Sequence, residues 1–398
     1  MSGALGELAA RLAPHYARFR VSERLLLTGH SHQAWPDVAL LGMQEAYADA
    51  AALVDEKWSR AFDRADAVRD GFRCLLGDPG AEIALGSSTH ELVVRFLSAL
   101  DLQRRPRLVT TDGEFHSARR QLARLGETGV EVVVVPSSPV STLAERLGAA
   151  VDERTAAVLT SSVLFETSRV VPGLGELAAA CARVGAELLV DAYHQLGVLP
   201  LSLDDAGLAD AWVVGGGYKY LQLGEGNCFL RLPPHASSLR PVVTGWYAEF
   251  GALSGAGAAD GVVYGPGAAR FAGSTYDPTS HYRAARVLRF FEEQGLTVDV
   301  LASSYRRQRE LLVAAFDALD APDHVITRDR STPAEGFGGF LSLETPHAAQ
   351  IQGLLAERDV LTDSRGTHLR LGPAPYLSDA QLTDAVGVLG EVVLQVRG

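Results

Sequence analysis

Between residues 82 and 192, short apolar runs alternate with stretches of helical spacing. IALG (83–86), RLVTTD (107–112), VEVVVVP (130–136), AAVLTSSV (156–163) and AELLVDA (186–192) read as strands. SSTHELVVRFLSAL, FHSARRQLARLGETG, VSTLAERLGAAV and GLGELAAACARVG read as the helices between them. Strands joined by helices pair in parallel, and runs this rich in Val, Leu and Ile are covered on both faces. WVVGG (212–216) and NCFLRLP (227–233) add two more strands, so a mostly parallel seven-stranded α/β sheet is expected.

The pattern changes after a Gly- and Ala-rich stretch, Gly251 to Gly267. Two long helical patterns follow, then short strands such as GFLSLE and HLRLGP and a last helix. Residues 45–264 are therefore expected to form a large domain and 265–398 a smaller α+β domain. The formal net charge of -12 disfavours a nucleic-acid partner, which favours a basic face. Three scattered cysteines, Cys74, Cys181 and Cys228, without a CxxC pair, suggest neither a disulfide framework nor a metal site, and fit a reducing, cytoplasmic setting. ALGELAARLAPHY reads as an amphipathic helix rather than a signal peptide, and no apolar run is long enough to expect a membrane span.

The residues with the most chemical promise lie between Asp191 and Gly226. Lys219 follows three glycines, Gly215 to Gly217, which let backbone approach a ligand closely. A lysine that loses its proton can attack an aldehyde, although a solvated lysine in a surface turn looks the same in isolation. Asp191 ends the apolar run ELLV, at the carboxyl edge where open α/β sheets bind ligands. A carboxylate there suits a pyridine nitrogen, or simply caps the next loop. His194 could reach a ring hydroxyl, or serve structure. Ser88 and Thr89 open a helix after strand IALG, and a helix N-terminus attracts phosphate. Ser88-Thr89-His90-Glu91 also fits a capping box. Together these features suit one cofactor, pyridoxal phosphate.

From about Leu25 to Leu377 the chain resembles the class V aminotransferase group of fold-type-I pyridoxal-phosphate enzymes, and within it the kynureninase family. Tyr218-Lys219-Tyr220-Leu221 is similar to that family's YKYL, and Asp191-Ala192-Tyr193-His194 to its D-x-A-H. The resemblance implies that Lys219 forms the Schiff base with the cofactor. It also implies that Asp191 and His194 face the ring, that Ser88 and Thr89 take the phosphate, and that Phe115 stacks on the ring. Gly245-Trp246 resembles a G-W pair whose Trp reaches the phosphate. Arg270-Phe271 through Thr275 resembles a stretch whose Thr serves the neighbouring subunit, which implies a homodimer. Arg370 would clamp the α-carboxylate of a small amino-acid substrate. Residues 1–44 would pack on the small domain.

The implied reaction begins with removal of the Cα proton by Lys219. It continues with hydrolysis of a Cβ–Cγ bond in a kynurenine-like amino acid, a step of tryptophan catabolism, giving alanine and an anthranilate-type acid. Tyr218 is a candidate to activate water. Transamination or β-elimination on another amino acid is the alternative. Desulfurase chemistry needs a cysteine shortly before Arg370, and TDSRGTHLR has none. The family's GNSLGLQP reads Gly29-His30-Ser31-His32-Gln33-Ala34-Trp35-Pro36 here, so His30, Ser31 and His32 are expected to face the substrate. Its SYKYL carries Gly217 in place of Ser.

Overall fold

The computed structural model describes residues 2–252 and 261–396. Part of the Gly251 to Gly267 stretch lies outside the described residues. Seven strands form the central sheet: β1 (Glu82–Gly86), β2 (Arg107–Thr111), β3 (Glu131–Val135), β4 (Thr155–Ser161), β5 (Glu187–Asp191), β6 (Trp212–Gly216) and β7 (Cys228–Leu232). They lie in the order β1-β7-β6-β5-β4-β2-β3. Strands β3, β2, β4, β5 and β6 pair in parallel. Strand β7 runs against both its neighbours, β6 and β1. The expected seven-stranded, mostly parallel sheet is present.

Alternation of side chains along each strand explains why these runs are apolar throughout. Val109, Val158, Val190, Val213 and Phe229 point into one buried cluster. Their neighbours Leu108, Leu159, Leu189, Val214 and Leu230 point into another. With both faces covered, a period-2 polar pattern would place polar groups in the core. After helices α1 (Ser2–Leu12), α2 (Val38–Leu53) and α3 (Lys57–Leu75), helices α4 (Thr89–Ser98), α5 (His116–Gly126), α6 (Leu143–Ala149) and α7 (Leu174–Val184) supply the crossovers.

Beyond residue 261, α8 (Thr279–Glu293) and α9 (Val298–Ala318) precede a four-stranded antiparallel sheet. Its strands are β8 (Thr327–Arg328), β9 (Leu341–Glu344), β10 (Asp363–Arg365) and β11 (His368–Leu371), in the order β10-β11-β9-β8. The N-terminal segment joins this part: Leu25–Leu26 pair in parallel with Val360–Leu361, and the Leu27 carbonyl accepts from the Gly372 amide. The buried rings of Tyr16 and Tyr376 lie 4.7 Å apart between centroids. No described helix is long and apolar enough to cross a membrane.

Candidate active site

The parallel strands β2, β4 and β5 end side by side at Thr111, Ser161 and Asp191, and Ser161 stands opposite Asp191 in the ladder. Such a carboxyl edge is where an open α/β sheet offers loops and free polar groups to a ligand. Thr89, Phe115, Ser161, Asp191, Tyr193, His194, Tyr218 and Lys219 line the cleft there. A separate cavity of about 1040 Å³ lies nearby, lined by Ser87, Glu91 and Thr275 among others, and contains neither Lys219 nor Asp191. The smaller cleft gathers Lys219, Asp191 and His194.

Lys219 sits in the loop that follows β6. The loop is held by backbone bonds from Gly217 to Asn227 and from Leu223 back to Gly217. Gly216 is required by close approach: a Cβ there would lie 2.5 Å from Tyr193 Oη and 2.7 Å from Cys228 Sγ. The lysine is 7% exposed, and its Nζ is 2.7 Å from His194 Nε2. It stands 4.5 Å from the Tyr193 ring centroid and 5.5 Å from that of Phe115. Burial lowers its pKa to about 7, against the opposing pull of Asp191 and with the help of Arg370. Burial, then Lys219 and Arg370, also push the His194 pKa far down, so its ring is neutral. A neutral ring accepting from Lys219 carries its proton on Nδ1, which lies 3.5 Å from Tyr220 Oη.

Asp191 Oδ1 accepts from the Tyr193 amide at 2.8 Å. Burial raises the Asp191 pKa, while the Tyr193 hydrogen bond and the Lys219 charge act against that. Tyr218 lines the same cleft, its ring 5.0 Å from that of Tyr193. Burial and the nearby acidic groups push its phenol to about 12, which keeps it protonated at neutral pH.

The N-terminus of α4 borders this region through Thr89. Ser88 is the cap, and its Oγ accepts from the Glu91 amide at 3.2 Å. The capping box is altered. Glu91 reaches back to the Ser87 amide and hydroxyl rather than to the Ser88 amide, and pairs with Arg95. Thr89 faces the Lys219 cleft, whereas Ser87 faces the larger cavity.

Arg370 stands opposite Asp363 in the β10–β11 ladder, and that register makes their ion pair. Its other terminal nitrogen donates to the Phe165 carbonyl at 2.5 Å, and its Nε is buried without a partner. The guanidinium expected to be open to a substrate is thus already matched by a carboxylate. His30 is fully buried, stacked 4.5 Å from Phe340, with Nε2 3.8 Å from Asp363 Oδ2 and neither ring nitrogen hydrogen-bonded. Burial, Arg370 and Lys219 hold its pKa well below the usual range. Of its loop neighbours, Ser31 bonds His32 at 3.2 Å, and exposed His32 stacks 5.1 Å from the Tyr218 ring.

Trp246 and Thr275 do not reach the Lys219 cleft within one chain. Trp246 Nε1 donates to Thr275 Oγ1 at 3.1 Å on an exposed face. Sequence reading passed over two residues. Asp363 is the counter-ion of Arg370, and its spacing to Arg370 signals nothing until the hairpin register is known. Glu114 is 4% exposed and accepts from Thr111, from the Ser161 amide and from the Ser161 hydroxyl. Its position beside Phe115 hid it.

These groups suit pyridoxal phosphate. A deprotonatable lysine, a carboxylate, an aromatic face and a helix N-terminus converge on one cleft, which is the donor set that an aldehyde, a pyridine nitrogen, a flat ring and a phosphate require. No family model matches the chain. The uncharacterized aminotransferase YcbU of Bacillus subtilis is 23% identical over 370 residues, which span 91% of this chain and 92% of that protein. Kynureninase of Xanthomonas campestris pv. campestris is 30% identical over 195 residues, 45% of each chain. Among solved structures, a cysteine desulfurase of Thermococcus onnurineus matches with a TM-score of 0.79 at 17% identity, over 97% of this chain and 98% of its own. The cysteine desulfurase CsdA of Escherichia coli matches with a TM-score of 0.78 at 16% identity, over 98% of each. The chain thus shares the fold-type-I architecture of these structures, with a Lys219 cleft that fits pyridoxal phosphate.

Proposed function

We propose that the protein is a pyridoxal-phosphate enzyme acting on an α-amino acid, as an aminotransferase or β-eliminating lyase of the class V kind. The observation that carries this is Lys219: a buried amine with a pKa near 7, in one cleft with Asp191, Phe115 and Thr89. A relative matched over 91% of this chain is named an aminotransferase, which favours this reading over hydrolysis of kynurenine. Kynurenine-type Cβ–Cγ hydrolysis stands as the second reading, favoured by the 30% identity over 195 residues to kynureninase. The changed loop at His30, Ser31 and His32 argues for a different side chain in the substrate.

When bound, pyridoxal phosphate would supply an electrophilic aldehyde and a ring that withdraws electrons from the substrate Cα. Lys219 is the residue to hold it, with Asp191 at the ring nitrogen, Phe115 against the ring, and Ser88 and Thr89 at the phosphate. At neutral pH Lys219 is partly free base, so Nζ can both attack a carbonyl and later accept the Cα proton. His194 orients Nζ through the 2.7 Å contact. Asp191 would hold a proton on the ring nitrogen. Tyr218, protonated, is a donor rather than a base. Arg370 is the candidate for the substrate carboxylate through Nε, the guanidinium nitrogen left without a partner, with Asp363 and the Phe165 carbonyl holding the other two. We also propose a cytoplasmic homodimer in which Trp246 and Thr275 serve the neighbouring subunit's phosphate. Exposed Val242, Val243, Trp246 and Phe250 on that face support a partner there.

Purified protein given pyridoxal phosphate and then borohydride should carry the reduced cofactor on the Lys219 peptide, read by mass. A panel of amino acids then separates the reactions. An oxo acid marks transamination, pyruvate with ammonia marks elimination, and alanine with anthranilate from kynurenine marks the hydrolase. Absence of cofactor on Lys219 would end the reading.

A further inference from the structure

Glu114 is the one buried carboxyl at this sheet edge that the proposed chemistry leaves unused. It lies three residues beyond the end of β2, and its side chain turns back over the edge of the sheet. Oε1 accepts from Thr111 Oγ1 at 2.7 Å and from the Ser161 amide at 3.1 Å, and Oε2 accepts from Ser161 Oγ at 2.6 Å. Thr111 Oγ1 in turn accepts from the Gly113 amide at 3.1 Å, which commits its proton to Glu114. Three hydrogen bonds on two oxygens suit a carboxylate, and of the three partners the Ser161 amide can only donate.

Ser161 connects this group to the cofactor edge. It lines the Lys219 cleft, it stands opposite Asp191 in the β4–β5 ladder, and the next amide, Ser162, donates to the Asp191 carbonyl at 2.9 Å. Asp191 is the charged group that bears on Glu114, and Lys219 lies beyond it. Two carboxylates at one sheet edge raise each other's proton affinity. A more basic Asp191 is a stronger acceptor for a ring N–H, and a pyridinium placed there compensates the added charge.

We propose that Glu114 is a positioning residue for the ring-nitrogen carboxylate: held by Thr111 and Ser161, it stands as a second negative group beside Asp191 and keeps Asp191 a strong acceptor for the pyridine N–H. The inference rests on pyridoxal phosphate occupying the Lys219 cleft. Glu114 itself touches neither substrate nor cofactor; it acts through Asp191 and Ser161. Burial lifts its pKa to about 7 against the pull of these hydrogen bonds, so the negative charge is present in part at neutral pH and in most molecules above it.

The test uses holoenzyme loaded with pyridoxal phosphate labelled with ¹⁵N in the ring. In the wild type the ring nitrogen should give a pyridinium signal at neutral pH. Glu114→Gln keeps the shape and removes the charge. It should lower the apparent pKa of the ring nitrogen by about one unit, a tenfold shift toward the unprotonated ring. Glu114→Asp should recover part of that shift, and Ser161→Ala should move it in the same direction by less. Thermal midpoints separate this from structural damage, because a packing role alone lowers the midpoint without moving the nitrogen signal. Identical signals in wild type and folded Glu114→Gln overturn the role of Glu114 alone. A wild type that takes up no pyridoxal phosphate overturns the functional reading and this inference with it.

Discussion

The Lys219 amine is easier to deprotonate than a surface lysine because its surroundings withhold water. Its ordinary pKa of 10.5 falls to about 7 on burial, so a fraction of the amine is unprotonated where a surface lysine would have almost none. Lys219→Ala should abolish borohydride fixation of cofactor and cut turnover by at least about 10²–10⁴-fold, the usual scale for a lost acid–base group. The same burial affects the stability of the apoprotein. Between pH 7 and 10.5 the folded chain binds fewer protons at Lys219 than the unfolded chain does, so stability should rise with pH across that window. Glu114 acts oppositely. With its pKa raised from 4.5 to about 7, the folded chain binds more protons there, and stability should fall as pH rises from 4.5 to 7. Urea midpoints across pH should show both slopes, with Lys219→Met flattening the upper one and Glu114→Gln the lower. Unchanged slopes in these variants would refute the assignments.

At the level of elements, two short pieces set the cleft. The first is the start of α4, where Ser88 caps the helix. Ser88→Ala should destabilise the protein by about 1 kcal/mol, typical of a lost cap, and should also weaken cofactor binding; a loss of stability with unchanged affinity would leave the phosphate to Thr89 and the helix amides. The second is the 28–36 loop, pinned to the strand that carries Arg370. The Gly29 amide donates to the Gly372 carbonyl at 2.9 Å, and a Cβ at Gly29 would lie 2.0 Å from the Pro373 carbonyl oxygen. Gly29→Ala must therefore push the loop off its seat. It should cost about 1–3 kcal/mol by overpacking and impair substrate binding more than cofactor uptake, as cofactor and substrate titrations would show.

At the level of the whole molecule, one chain leaves its proposed phosphate site without two of the residues named for it. Trp246 and Thr275 bond each other on an exposed face instead. If they serve a partner, light scattering should report a dimer. Mixing inactive Lys219→Ala and Thr275→Ala proteins should then restore activity, because one site of the hybrid has both groups intact. No recovery on exchange of subunits would place Thr275 in its own chain's site, or outside any site.

The sequence alone determined the sheet, because strands covered on both faces must be apolar at every position and the helices between them must cross over. It also pointed to Lys219, Asp191 and Thr89, since each follows an apolar run or a turn in a way that marks the carboxyl edge of the sheet, whereas Phe115 followed only from the family resemblance. Only the tertiary structure decided how those groups are charged and partnered. Asp363 neutralises Arg370 because a hairpin register sets them opposite each other, and neither residue alone encodes that register. His30 became a buried, unpartnered ring only when the N-terminal segment paired beside β11. Glu114 meets Ser161, which stands opposite Asp191, because three parallel strands end in line, a juxtaposition of residues far apart in the chain. Local pattern dictates elements, whereas burial and charge depend on neighbours that only the packed chain brings together.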